Sequence, residues 1–84
     1  MNQTPAEKRA EFYSLPPEAY IDRGTVAAAR HVSEATVEKE AIKGGGVPYM
    51  RIGRRALYRK ADVLAWMERT GRPVENTAQL GVAA

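Results

Sequence analysis

Residues 22–46 read "DRGTVAAARHVSEATVEKEAIKGGG", and the fold turns on how this stretch is parsed. Asp22 stands where a helix N-cap belongs, with Val26, Ala27 and Ala29 available for an inner face up to about Arg30. His31 and Val32 leave room for one tight connection. Ser33 can cap a second helix, which the glycine run 44–46 brings to an end.

Two short helices joined by about three residues make a helix-turn-helix arrangement, although the same pattern describes many helical hairpins. At about 100° per residue, Val37, Ala41, Ala35 and Ile42 fall within one arc of about 160°, wide enough for burial. The opposite arc carries Thr36, Lys39, Glu40 and Lys43. Such a row suits phosphates and base edges in a major groove, and equally a plain solvated helix face. Glu34 and Glu38 keep the helix from being a purely electrostatic grip, and Glu34 complements the positive end of the helix.

Beyond the glycines, residues 49–60 read "YMRIGRRALYRK". Arg51, Arg54, Arg55, Arg59 and Lys60 stand here among tyrosines and aliphatic residues, with no acidic side chain. Pro48 opens an extended segment over 49–52, Gly53, Arg54 and Arg55 make a short turn, and 56–60 return as a second strand. Alternation puts Met50 and Ile52 on one face and Tyr49 and Arg51 on the other. A lone hairpin is marginal in water, so this one is predicted to rest its apolar side on the helices and project Arg54 and Arg55 at its tip.

Upstream, Thr4 can cap a helix, Pro5 suits its first position, and Glu7 stands at the capping-box spacing. A short helix over Pro5–Ser14 is expected, stopped by Pro16 and Pro17. It either packs on the domain or meets a partner. Downstream, residues 61–73 read "ADVLAWMERTGRP". Asp62 favours a helix start, Val63, Leu64, Trp66 and Met67 supply an apolar face, and Gly71 and Pro73 end it. Trp66 reads as core rather than as a stacking platform. The organisation expected is an N-terminal helix and linker over 1–17, a folded domain over 18–72 and a loose tail over 73–84.

With 84 residues the chain suffices for one small domain. Its net charge of +3 is mild but unevenly spread. Residues 49–60 carry +5, whereas residues 1–48 hold six basic against seven acidic side chains. A localised basic patch on a nearly neutral body favours a polyanionic partner, nucleic acid first. The absence of cysteine removes disulfides and thiolate metal sites. No apolar run approaches the ~20 residues that span a bilayer, and no charged-then-apolar segment opens the chain, so it is expected to stay in the cytoplasm. Catalysis is poorly supplied. His31 reads as a turn residue rather than a base, the glycine run lacks the Gly-Lys-Ser/Thr ending of a phosphate loop, and no His/carboxylate cluster has ligand spacing. No catalytic residue, cofactor or metal is expected.

Several motifs together carry a resemblance: Tyr20-Ile21, Val26-Ala27, Val32-Ser33, Thr36-Val37, Val47-Pro48, Arg51-Ile52-Gly53-Arg54-Arg55 and Asp62-Val63-Leu64-Ala65-Trp66. They resemble the winged helix-turn-helix domain of the MerR-like superfamily, in its phage excisionase (recombination directionality factor) and AlpA-like branch. The likeness spans roughly residues 20–70. It implies a mainly α fold with a small β-hairpin: a helix-turn-helix, a two-stranded wing and a C-terminal helix. It further implies that the second helix enters the major groove, with Ser33, Thr36, Lys39, Glu40 and Lys43 as contacts. The wing would bring Arg51, Arg54, Arg55, Tyr58, Arg59 and Lys60 to the backbone or the adjacent minor groove. Family members often carry glycine where this chain has His31, so a left-handed turn there carries a conformational cost.

The function so implied is that of an excisionase. Such a factor binds specific DNA, bends it and helps a phage integrase favour excision, performing no chemistry itself. The partners expected are double-stranded DNA bearing clustered repeat sites, neighbouring copies of the chain, and the integrase, in the bacterial cytoplasm and on the nucleoid. A small AlpA-like transcriptional regulator would share the fold and take a promoter as target. A protein-interaction module whose basic hairpin meets an acidic partner is the reading from another class.

Overall fold

A computed structural model of the chain describes residues 3–71, so the tail expected over 73–84, and Pro73 as a helix stop, lie outside the described residues. The elements run α1 (Pro5–Ser14), β1 (Tyr20–Ile21), α2 (Arg23–Arg30), α3 (Glu34–Lys43), β2 (Met50–Ile52), β3 (Arg55–Arg59) and α4 (Lys60–Thr70). This is the winged helix-turn-helix architecture, with α2 and α3 as its two helices and the β2–β3 hairpin after them.

Short-range hydrogen bonds set the helix ends. Thr4 Oγ1 accepts from the Glu7 amide while the Glu7 carboxylate accepts from the Thr4 amide, the reciprocal box that starts α1. The Asp22 carboxylate accepts from the Thr25 amide at 2.9 Å to start α2, and Ser33 Oγ from the Thr36 amide at 3.1 Å to start α3. α2 closes in a Schellman pair, with Val32 N–H donating to the Ala27 carbonyl and His31 N–H to that of Ala28. His31 therefore takes the left-handed conformation, φ 60° and ψ 38°, with its side chain exposed.

The core is assembled around α2. Residues 25–29 are all buried, which their small side chains permit, since Ala27, Ala28 and Ala29 let other elements approach closely. Phe12, Ile21, Val26, Val37, Val47, Tyr58 and Val63 meet in one cluster, with Leu64, Trp66 and Met67 packed against it. α1 packs on the domain: it buries Phe12, and Arg9 Nε donates to the Ala28 carbonyl at 2.8 Å.

The sheet has three antiparallel strands in the order β1-β3-β2, one more than the expected pair, because Tyr20 and Ile21 align with Arg59 and Tyr58. The hairpin turn takes two residues rather than three. Arg55 belongs to β3, opposite Ile52, and Gly53 adopts φ 62° while Arg54 has no positive φ, the combination of a type II′ turn, whose first central position favours glycine.

Two expectations about which side faces inward are corrected. In the hairpin, the buried residue of β3 is Tyr58, and the register puts Arg51 and Ala56 on its side of the sheet. Met50 and Ile52 therefore lie on the opposite face, each about half exposed. A period of two means that one choice of inward residue flips the whole set. In α3, Val37 is buried and Ala41 half-buried, but Ala35 is exposed and Ile42 is 79% exposed. The face that α2 covers is the one holding Val37, Glu40 and Ala41.

Candidate nucleic-acid interface

α2 carries an arginine at each end, and each holds one part of the candidate interface. At its end, Arg30 Nη1 and Nη2 donate to the two carboxylate oxygens of Glu40 at 2.7 and 3.1 Å. The same guanidinium lies 4.1 Å from the centre of the Trp66 ring, and the Trp66 indole N–H donates to the Gly45 carbonyl at 3.2 Å. Gly46 closes this contact. A Cβ there would stand 2.9 Å from Glu40 Cβ, so the loop can pass only as glycine. Trp66 thus packs on the core and carries the protein's own arginine on its face.

At the start of α2, Arg23 Nε donates to the Tyr58 hydroxyl at 3.1 Å and its guanidinium lies 5.4 Å from the Tyr49 ring centre. Tyr49 and Tyr58 stack at 5.2 Å. The bond to Tyr58 holds the Arg23 charge in place and raises its pKa further above the ordinary arginine value. The base of the hairpin is thereby fixed to α2. Arg23 and Arg30 stand seven residues apart, two turns on one stripe of the helix. That spacing was the signal in the sequence by which these two clamps could have been found.

The expected groove contacts fall into three groups. Lys39 and Lys43 are exposed on α3. Ser33 is spent on capping, and its Oγ also lies 2.9 Å from the Thr36 hydroxyl, which leaves both hydroxyls at the first turn of α3. Glu40 does not stand on the outward row, because Arg30 draws its carboxylate toward α2. The outward stripe of α3 consists instead of Ala35, Glu38, Lys39 and Ile42, all exposed and spaced i, i+3, i+4 and i+7.

In the hairpin, Arg51, Arg54, Arg55 and Arg59 are exposed, with Arg54 in the turn and Arg59 Nη2 3.5 Å from the Asp62 carboxylate. Tyr58 and Lys60 need correction as surface contacts. Tyr58 is 1% exposed, its ring inside and its hydroxyl taken by Arg23. Lys60 is 7% exposed and opens α4 rather than ending the strand. Its Nζ donates to the Tyr13 and Leu15 carbonyls at 3.2 and 2.6 Å, satisfying backbone oxygens at the end of α1 that have no further helical partner.

Glu34 of α3 and Arg55 of the hairpin line one cleft, with Lys8 and Asp22 beside them. Burial pushes the Asp22 carboxyl up, but the hydrogen bonds from Thr25 and the charges of Lys8 and Arg55 outweigh it, so Asp22 titrates below the ordinary carboxylate value. Among the described residues, no group of three or more His, Cys, Asp or Glu side chains could hold a metal ion, and no helix is long and apolar enough to cross a membrane.

The helix-turn-helix domain family matches the chain over residues 25–71, from the first turn of α2 through α3, the hairpin and α4. No curated protein matches it. Covering more than half of the chain, and taking in both helices, the turn at His31 and the wing, that match establishes that the protein belongs to the helix-turn-helix family of DNA-binding domains.

Proposed function

We propose that the protein is a sequence-specific, DNA-bending architectural factor that acts as an excisionase, turning an integrase toward excision. The observation that carries this reading is the pair of arginine clamps on α2. Through Arg30 and Arg23, the helix that would read the groove and the hairpin that would follow the backbone are held to a single rigid element. A fixed spacing between two DNA-contacting parts suits a protein whose output is DNA shape.

In this reading α3 lies in the major groove, with Lys39 and Lys43 beside phosphates or base edges and Ser33 and Thr36 near the backbone at its first turn. Arg51, Arg54, Arg55 and Arg59 follow the phosphates or the adjacent minor groove. The exposed face of the sheet, bearing Tyr20, Met50 and Ile52, offers apolar surface to a neighbouring copy on clustered sites or to the integrase. The domain proper is taken as residues 18–72, with α1 as a packed extension.

The test is retention of sheared genomic DNA by the purified full-length protein at moderate salt, followed by sequencing. A short cluster of direct repeats beside an integration site is the expected result, and circular permutation of that site should then reveal a bend. Enrichment of an isolated promoter instead would make the protein a regulator of the AlpA kind. Retention of nothing above background would mean that the basic hairpin grips a protein.

A further inference from the structure

Ile42 is the largest apolar side chain on α3, and the fold turns it away from the core. It is 79% exposed, although periodicity alone would allow it an inward place beside Val37. Scattered exposed aliphatic residues are common and need no explanation by themselves. What sets Ile42 apart is its company. It shares the outward stripe with Ala35, Glu38 and Lys39 and precedes Lys43, and all of these are exposed; Glu38 stands at the edge of the stripe away from Lys39 and Lys43. A helix face chosen only for solubility would put a polar residue there. Nor does helix propensity favour a β-branched side chain at such a site.

We infer that Ile42 reads a thymine methyl group in the major groove, with Ala35 two turns earlier as a second apolar contact. This rests on the placement of α3 in the groove argued above. The C5-methyl of thymine is the one apolar feature that base edges present in the major groove, and an apolar side chain against it separates thymine from cytosine. Ala35 and Ile42 stand seven residues apart, about 10 Å along the helix axis, which is within the width of a major groove of about 12 Å. A methyl of Ile42 would lose water on meeting that of thymine. Lys39, on the same stripe, remains free to reach a phosphate or a guanine edge. The bound site therefore contains a thymine whose methyl group, rather than its hydrogen-bonding edge, is what the protein detects.

Uracil differs from thymine only by lacking that methyl, which makes the inference testable atom by atom. The full-length protein is first used to select a binding site from a random duplex library. Each thymine of the selected site is then replaced singly by deoxyuridine. The replacement should weaken binding slightly at the position that Ala35 faces and about fourfold, the value of one buried methyl, at the position that Ile42 faces. The Ile42→Ala variant should bind the thymine duplex more weakly and lose its sensitivity to uracil at that position only, while its melting temperature stays that of the wild type. Replacing the same base pair by 5-methylcytosine–guanine should bind better than unmethylated cytosine–guanine, with the wild type alone.

Site selection that succeeds but shows no uracil effect at any position would overturn the inference while leaving DNA binding intact. An effect that persists undiminished in Ile42→Ala would overturn it too. If Ile42→Ala instead altered self-association in sedimentation without changing uracil sensitivity, Ile42 would be an interface between copies and the inference wrong. Failure to select any sequence would remove the reading of α3 on which it stands.

Discussion

The bond between Arg30 and Glu40 allows a direct decision about what Glu40 does. The Arg30 side chain is 9% exposed and that of Glu40 30%. Breaking a fully buried pair costs about 3–5 kcal/mol, whereas exposed pairs contribute about 0–1 kcal/mol. A half-shielded, bidentate pair falls between these limits. Glu40→Gln keeps the shape and one acceptor but leaves the Arg30 charge uncompensated, and should cost about 2 kcal/mol, allowing for solvent screening on the Glu40 side. Arg30→Ala also loses the stack on Trp66, worth about 1 kcal/mol more. For a domain of this size about 1 kcal/mol shifts the midpoint by about 4–8 °C. Thermal unfolding followed by circular dichroism at 222 nm should therefore show Glu40→Gln melting roughly 10 °C below the wild type, and Arg30→Ala lower still. Below the midpoint, the base preference of the remaining folded Glu40→Gln should match that of the wild type in competition binding. An unchanged melting temperature with a changed base preference would refute the clamp and return Glu40 to the groove.

Other expected outcomes concern the exposed and buried cations. Six exposed cations, Lys39, Lys43, Arg51, Arg54, Arg55 and Arg59, are available to phosphates, so the logarithm of DNA affinity should fall against that of salt with a slope of about −5. A nearly flat response would remove the wing from the interface. Arg54→Ala with Arg55→Ala should weaken binding to all sequences alike and make that slope shallower by about 2. Lys60→Met should lower stability by about 1–3 kcal/mol, because the Tyr13 and Leu15 carbonyls lose their donor, yet leave the salt slope as it was. A slope reduced by about 1, with normal stability, would mean that Lys60 does reach DNA. The depressed carboxyl of Asp22 contributes stability that is present above its unfolded pKa of about 3.9 and is lost as pH falls through the lower folded value. The difference in stability between wild type and Asp22→Asn should thus be constant at neutral pH and shrink below about pH 4.

Much of this protein could be read from neighbouring residues. Thr4 with Glu7, Asp22 with Thr25 and Ser33 with Thr36 are contacts across three positions, so they follow from local geometry whatever the rest of the chain does. The same holds for the stop at the glycine run, whereas the left-handed conformation of His31, a residue that does not favour it, appears only in the structure. The helix boundaries and the helix-turn-helix followed by a wing were legible for that reason.

Orientation was not. Arg30 meets Glu40 ten residues away, Arg23 meets Tyr58 across 35, and Lys60 meets Tyr13 across 47. Each of these contacts chose between faces that periodicity left nearly equal. Arg30 drew Glu40 inward and so set the outward stripe of α3, exposing Ile42. Arg23 captured the Tyr58 hydroxyl, fixed which side of β3 is buried, and turned Met50 and Ile52 out. The backbone carbonyls at the end of α1 took Lys60 out of the basic run. By itself the sequence determined the four helices, the hairpin and their order, because hydrogen bonds between neighbours depend only on local conformation, whereas β1 exists only through its pairing with the distant β3. Only the tertiary structure decided which side chains of α3 and the hairpin are left exposed, because burial and charge pairing depend on what the rest of the chain brings alongside.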